Sequence, residues 1–283
     1  MLSPQEDNYI LERAYVPEHI PALMVGVSKG EPHLRGEYLC VAGDDWLIFV
    51  GYPLNRTFLA EHFFTHLEGA VREFQPRRAW LIAPEMPDSC LHSGQERESD
   101  KYYQLDLARF QPKSDLRRMI RKAAEGLTVE RSRQFTGEHH ALLEEFLKGE
   151  TLAPRVRELF LRMADYVPYS QTSLVLDARD ARQQLSAFYV VEMGARDFAT
   201  YVVGGYSRRN QVPHASDLLF WEMTNLAKEQ KKEYIHLGLG VNEGIRRFKT
   251  KWGGIPFLSY EFAEYLRERP GPLSWLRLLG LRF

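Results

Sequence analysis

The sequence predicts an α+β protein in which mixed central sheets are flanked by helices, with that arrangement occurring twice along the chain. Three observations lead there. Strand-like stretches followed by helix and strand occur on both sides of a central helical segment. The 283 residues exceed what a single core usually holds. Finally, 44% hydrophobic and 27% charged residues are ordinary for a folded globular chain and give no case for disorder.

The first module is expected over residues 1–131. Glu37 to Val41 and Trp46 to Val50 read as a hairpin joined at Gly43-Asp44-Asp45. From about Arg56 to Phe74, the apolar residues Phe58, Leu59, Phe63, Leu67, Ala70 and Val71 recur at helical spacing. Ala79 to Ile82 and Tyr102 to Leu107 follow as strands. Ser114 to Glu125 reads as a helix capped by Ser114 and closed by Gly126. Before Glu37, Pro17, Pro21 and Pro32 break every periodic pattern, so that stretch is expected to wrap the first sheet.

The second module is expected over residues 132–265. Two helical patterns between Thr136 and Tyr169 lead into three strands, Thr172 to Leu176, Leu185 to Met193 and Phe198 to Tyr206, which read as an antiparallel meander. A helix capped by Ser216 and running to about Gln230, the strand Tyr234 to Leu239, a helix from Glu243 to Trp252 and the strand Pro256 to Phe262 complete a βββ-α-β-α-β order. Residues 266–283 form an apolar tail, whose leucines, Trp275 and arginines suit either a membrane surface or docking against the protein body or a twin subunit in a homodimer.

Several functional classes find no support in the sequence. A net charge of -1 gives no bulk-charge case for DNA binding. Cys40 and Cys90 lie far apart without a CxxC motif, so neither a disulfide scaffold nor a metal site is expected, and a reducing, cytoplasmic setting fits. No signal peptide or spanning segment is visible. The Gly238, Gly240 and Gly244 spacing does not match a dinucleotide loop, and His139-His140 reads as a surface pair.

The chemistry concentrates between Gly204 and Gly254. A strand ends in a glycine pair, and a polar loop carries Ser207, Arg208 and Arg209 into a helix start at Ser216. Free N–H groups with two guanidinium groups beside them suit an anion. One strand later Arg246, Arg247, Lys249 and Lys251 gather without an interleaved acid, a second cationic cluster.

The stretches LLFWEMTNLAKEQ and NEGIRRFKTKWGG, together with LRRMIRKAAEGLTVERS, resemble the Fem-type peptidoglycan aminoacyltransferases, the phosphatidylglycerol-lysyltransferase type and their GNAT relatives, over about Tyr102 to Phe262. The resemblance implies a tandem GNAT-like fold and N-acyl transfer to an amine-bearing acceptor. The donor would be an acyl-CoA or an aminoacyl-tRNA, so that tRNA is a candidate partner, with no tightly bound cofactor or metal. It also implies that Phe248 and Lys249 lie at the transfer site, where a lysine can steady a developing oxyanion.

The loop Ser207 to Ser216 contains no glycine, unlike the diphosphate loop of acetyl-CoA-dependent relatives. The strand ending His236-Leu237-Gly238 lacks the acid found there in related proteins. Glu192, Tyr206, His214, Asp217 and His236 are therefore the candidate bases, with His236 and Asp217 put forward beside Lys249. The rival expectation is a GNAT-fold protein without catalysis, holding a nucleotide, a tRNA end or an anionic lipid.

Overall fold

The computed structural model describes residues 1–86, 96–148 and 154–266, with only the backbone of 154–156. Cys90 and the tail beyond residue 266, with its expected membrane or dimer contact, lie outside the described residues. The chain divides into two compact units: residues 1–103, 239–241 and 256 onward form one, and residues 104–238 with 242–255 form the other.

The first unit begins with α1 (Pro4–Arg13), whose start is closed by a capping box between Ser3 and Glu6. A single 3₁₀ turn, Pro17–His19, leads to α2 (Pro21–Ser28). These elements come from the proline-broken stretch, because Pro at the first helical position costs no hydrogen bond. Strands β1 (Glu31–Arg35), β2 (Tyr38–Ala42) and β3 (Trp46–Val50) pair antiparallel in sequence. Helix α3 (Ala60–Phe74) carries the chain to β4 (Arg78–Ala83), which lies parallel to β3. Phe63, Leu67, Ala70 and Val71 bring one face of α3 onto Tyr38, Phe49 and Leu81, the stripe that the helical spacing predicts. Strand β5 (Glu96–Asp106) ends this run.

In the second unit, α4 (Ser114–Ala124) precedes β6 (Leu127–Ser132), α5 (Gly137–Lys148), α6 (Pro154–Leu161) and α7 (Met163–Tyr169). Lys113, not Ser114, occupies the α4 cap position and makes no side-chain cap bond, so Ser114 lies in the first turn. The expected meander is present as β7 (Ser173–Asp180), β8 (Leu185–Glu192) and β9 (Phe198–Tyr206), with β6 added antiparallel to β7. Every residue of β8 is buried, as a central strand covered on both faces requires. Helix α8 (Ala215–Glu229), strand β10 (Tyr234–Leu239) and helix α9 (Glu243–Lys251) follow.

The last strand, β11 (Ile255–Leu266), returns to the first unit. It pairs antiparallel with β4, from Glu261 opposite Ala83 to Leu266 opposite Arg78. Local periodicity identifies this strand but carries no information about which sheet it joins.

Candidate functional site

The site is built on β9, β10 and the elements that follow them in the second unit. Strands β9 and β10 are parallel, and their paired register runs from Phe198 and Tyr234 to Thr200 and His236. Beyond that point β9 continues to Tyr206, so the two strands part at His236. Gly238, just past the fork, has φ +70° and nothing within 4 Å of where a Cβ would stand, a backbone conformation that L side chains resist.

His236 is fully buried. Its Nδ1 accepts the Gly238 N–H at 3.2 Å, and its carbonyl accepts the Thr200 hydroxyl at 3.1 Å. Since Nδ1 accepts, the tautomer drawn by this geometry carries its proton on Nε2.

After β10 the chain turns through Val241, whose φ is +49°, costly for a β-branched residue. The Val241 N–H donates to Asp100 Oδ2 at 2.7 Å, and Asn242 caps α9 by accepting the Ile245 N–H at 2.9 Å. Along α9 the side chains are exposed, with two exceptions: Phe248 is half-buried and Lys249 is only 6% exposed. Arg246 and Arg247 face solvent, and Arg247 pairs with Glu243 one turn back at 2.5 Å.

Asp217 holds the far end of α9. Buried in the first turn of α8, it accepts from Lys251 Nζ at 2.5 Å and from Trp252 Nε1 at 3.1 Å, with His214 Nδ1 at 3.4 Å. Trp252 is also buried and packs against Phe220 and Phe110. Phe248 meets Phe220 edge to face, with ring centroids 5.6 Å apart, and Lys251 lies over the Phe248 ring. Gly254 completes the fastening: an added Cβ would stand 2.4 Å from Leu237 Cδ1 and 3.0 Å from the Lys249 carbonyl. The backbone of Lys249 is thereby drawn close to β10, one residue past the fork.

The loop from β9 to α8 differs from the open anion site expected of it. Glu145, projecting from α5, accepts the N–H groups of Arg208 at 2.6 Å and Arg209 at 3.0 Å, and its other oxygen is 3.5 Å from the Ser207 hydroxyl. Ser207 Oγ accepts the Asn210 N–H at 3.0 Å. A carboxylate of the protein itself thus fills the backbone nest in which an external anion would sit. Nor does Ser216 cap α8: His214, at φ +66°, stands in the cap position without a side-chain cap bond, and Ser216 lies half-buried in the first turn with its carbonyl accepting from Tyr189. The sequence carries no signal for the role of Glu145, because it is 62 residues from Ser207.

Two other expectations change on packing. Glu192 is fully buried and accepts from Tyr166, Ser170, Thr172 and the N–H groups of Met193 and Gly194. A carboxylate with all its lone pairs engaged is a structural knot, not a free base. Burial first, and then the neighbouring Glu192, push the Tyr166 phenol well above its usual pKa. His139 is not on the surface: it is 1% exposed, with Nε2 donating to Asp177 at 2.8 Å and Nδ1 accepting the Thr136 N–H at 2.9 Å. His140 alone of that pair is exposed. Among the described residues no group of His, Cys, Asp and Glu is placed to hold a metal ion, and no helix is long and apolar enough to cross a membrane.

This α+β architecture, with its parallel fork and flanking helices, is the fold of tandem GNAT and Fem-type solved structures. Among solved structures the chain is similar to L-PGS from Bacillus licheniformis, at 16% identity with 99% of this chain and 98% of that one covered and a TM-score of 0.59. FemX is similar at 12% identity, with 98% and 99% covered and a TM-score of 0.63. A tandem GNAT protein from the clavulanic acid biosynthesis pathway is similar at 13% identity, with 95% and 97% covered and a TM-score of 0.56. No family model and no curated protein matches the sequence.

Proposed function

We propose that the chain is an N-acyltransferase that moves an aminoacyl group from a tRNA ester to an amine-bearing acceptor, with Lys249 at the reacting carbonyl. The observation that carries this reading is the burial of one lysine on a helix whose other side chains are exposed or half-exposed. A lysine held in place by burial is preorganised to meet a developing negative charge. Its backbone lies beside Gly254, which packs on Leu237 just past the parting of β9 and β10, and the reading puts the reacting carbonyl in that fork. Solved structures of similar fold include FemX and an L-PGS beside GNAT proteins, which supports acyl transfer in general.

The preference for an ester donor rests on Glu145. A CoA diphosphate bound at Arg208 and Arg209 would have to displace a carboxylate that already accepts both N–H groups. A tRNA ester presents its reacting carbonyl without needing a diphosphate at that loop.

In the reaction the acceptor nitrogen attacks the ester carbonyl, a C–N bond forms, and the bond to the ribose oxygen breaks. The proton lost by nitrogen ends on the departing oxygen, so no net proton is consumed. Lys249 stabilises the tetrahedral oxyanion, while the fixed strand and helix supply proximity and orientation. Asp217 is a positioning residue, acting through Lys251 and Trp252, and His236 positions the Gly238 turn.

The Lys249→Ala variant, assayed with radiolabelled aminoacyl-tRNA, is expected to lose about 100-fold or more in kcat with donor affinity changed only slightly. A wild type that binds the aminoacyl-tRNA but transfers no label to any amine acceptor would instead support a non-catalytic protein that binds the same ligand.

A further inference from the structure

Thr136, His139 and Asp177 form a hydrogen-bonded chain apart from the site at Lys249. The Thr136 hydroxyl lies 2.9 Å from His139 Nδ1, and His139 Nε2 lies 2.8 Å from Asp177 Oδ1. Nδ1 also accepts the Thr136 N–H at 2.9 Å, so it carries no proton and the hydroxyl is a second donor to it. Asp177 Oδ2 is held by Arg179 at 2.9 Å, and that guanidinium also reaches Glu138 at 2.8 Å. His139 and Asp177 are buried, whereas Thr136 is exposed. A carboxylate, an imidazole and a hydroxyl are thus linked in order from the interior to the surface.

A threonine just before a helix ordinarily turns its hydroxyl to the N–H of the second or third helical residue. Thr136 precedes α5, yet its hydroxyl is turned to the ring of His139. That ring is fixed in place: Phe135 stacks on it with centroids 5.0 Å apart, and Phe188 meets it edge to face at 5.3 Å. A base within hydrogen-bond reach of a hydroxyl, itself oriented by a third group, is the arrangement that activates an oxygen nucleophile. The approach to the hydroxyl is open as well. A Cβ added to the adjacent Gly137 would have nothing within 4 Å of it. The N–H groups in the first turn of a helix have no helical carbonyl to bond, and can meet an oxyanion forming there.

We propose that Thr136, His139 and Asp177 form a second acyl-transfer centre, in which the Thr136 hydroxyl takes the acyl group of an activated carboxylic ester. Thr136 Oγ1 attacks the ester carbonyl and a C–O bond forms. His139 Nδ1 receives the hydroxyl proton and passes it to the departing oxygen as the ester C–O bond breaks. Water, giving a proton to the same nitrogen, then cleaves the threonyl ester to a carboxylic acid, and that proton returns to Oγ1. Asp177 is a positioning residue that keeps the ring proton on Nε2. The centre shares no residue with the site at Lys249, so it does not depend on the aminoacyl-ester reading.

The probe is p-nitrophenyl acetate. Release of p-nitrophenol is followed by absorbance, and the acetylated residue is located by mass spectrometry after an acid quench. The proteins compared are the wild type, Thr136→Ser, Thr136→Val and His140→Ala, the last because His140 is an exposed imidazole beside the centre. Wild type, Thr136→Ser and His140→Ala are expected to carry the acetyl group at position 136. Thr136→Val should carry none there and release p-nitrophenol about 100-fold more slowly, the scale of a lost base-assisted nucleophile. Its thermal midpoint should stay near that of the wild type, since the side chain is exposed. Unchanged release by Thr136→Val would overturn the proposal, as would loss of release in His140→Ala. So would a Thr136→Ser protein that gains no acetyl group at position 136, a result that needs no other variant to fold.

Discussion

Glu18 and His19 are consecutive residues in the turn between α1 and α2, and burial moves their titrations in opposite directions. The Glu18 carboxyl is raised by desolvation, an effect its hydrogen bond from Tyr102 only partly offsets. His19 is lowered to about 4, by desolvation above all, with Arg56 adding to it and the bond to the Tyr52 carbonyl opposing it. The geometry agrees: Nε2 donates to that carbonyl at 2.8 Å and Nδ1 accepts the Tyr15 N–H at 3.4 Å, which engages both nitrogens of a neutral ring.

Because the unfolded chain takes up a proton on His19 near pH 6.5 and the folded one only near 4, stability is lost as pH falls through that window. A shift of that size corresponds to about 3 kcal/mol. Glu18 acts oppositely: its folded pKa lies above the unfolded value of 4.5, so acidification through that region returns stability. Urea unfolding of Glu18→Gln at pH 7, 5.5 and 4.5 should therefore show a steeper acid loss than the wild type. A flat profile in that variant would contradict the buried neutral imidazole.

At the scale of elements, the β9 to α8 loop shows what a neighbouring helix can do to a local motif. Ser207, Arg208 and Arg209 were legible in the sequence as an anion site, and their N–H groups do converge on a carboxylate, but it belongs to Glu145 of α5. Glu145→Ala should cost about 1–3 kcal/mol through the lost charge-assisted bonds. It should also give the loop a calorimetrically detectable affinity for inorganic diphosphate that the wild type lacks. If wild type and variant bind diphosphate equally, Glu145 is not what closes the nest. Helix α9 makes the complementary point. Its basic composition was plain, yet which of its cations is buried depended on Asp217 and Trp252 fastening its end, and on Gly254 admitting Leu237.

Across the whole molecule, the path of the chain matters more than its local patterns. The strand Ile255–Leu266 follows directly on the second unit yet completes the sheet of the first beside β4. A chain ending at residue 254 should therefore lose the first unit's order while much of the second persists. Hydrogen exchange would report this as loss of protection in β3 and β4. Retained protection there would mean that β4 does not depend on its neighbour.

Features set by nearest neighbours and by period were legible in the sequence. The hairpin β2–β3, the meander β7–β9, and helices α3, α8 and α9 to within a few residues all belong there, because alternation, helical spacing and turn residues act over a few positions. The cap positions at Ser114 and Ser216 were missed at that same range, since Lys113 and His214 could adopt the required backbone angles without a side-chain bond. The destination of β11, the engagement of Glu192 by five donors, the burial of His139 and the filling of the Ser207 loop by Glu145 follow from long-range packing. Each depends on groups brought together from distant parts of the chain, where desolvation and hydrogen-bond satisfaction, not local propensity, select the partner.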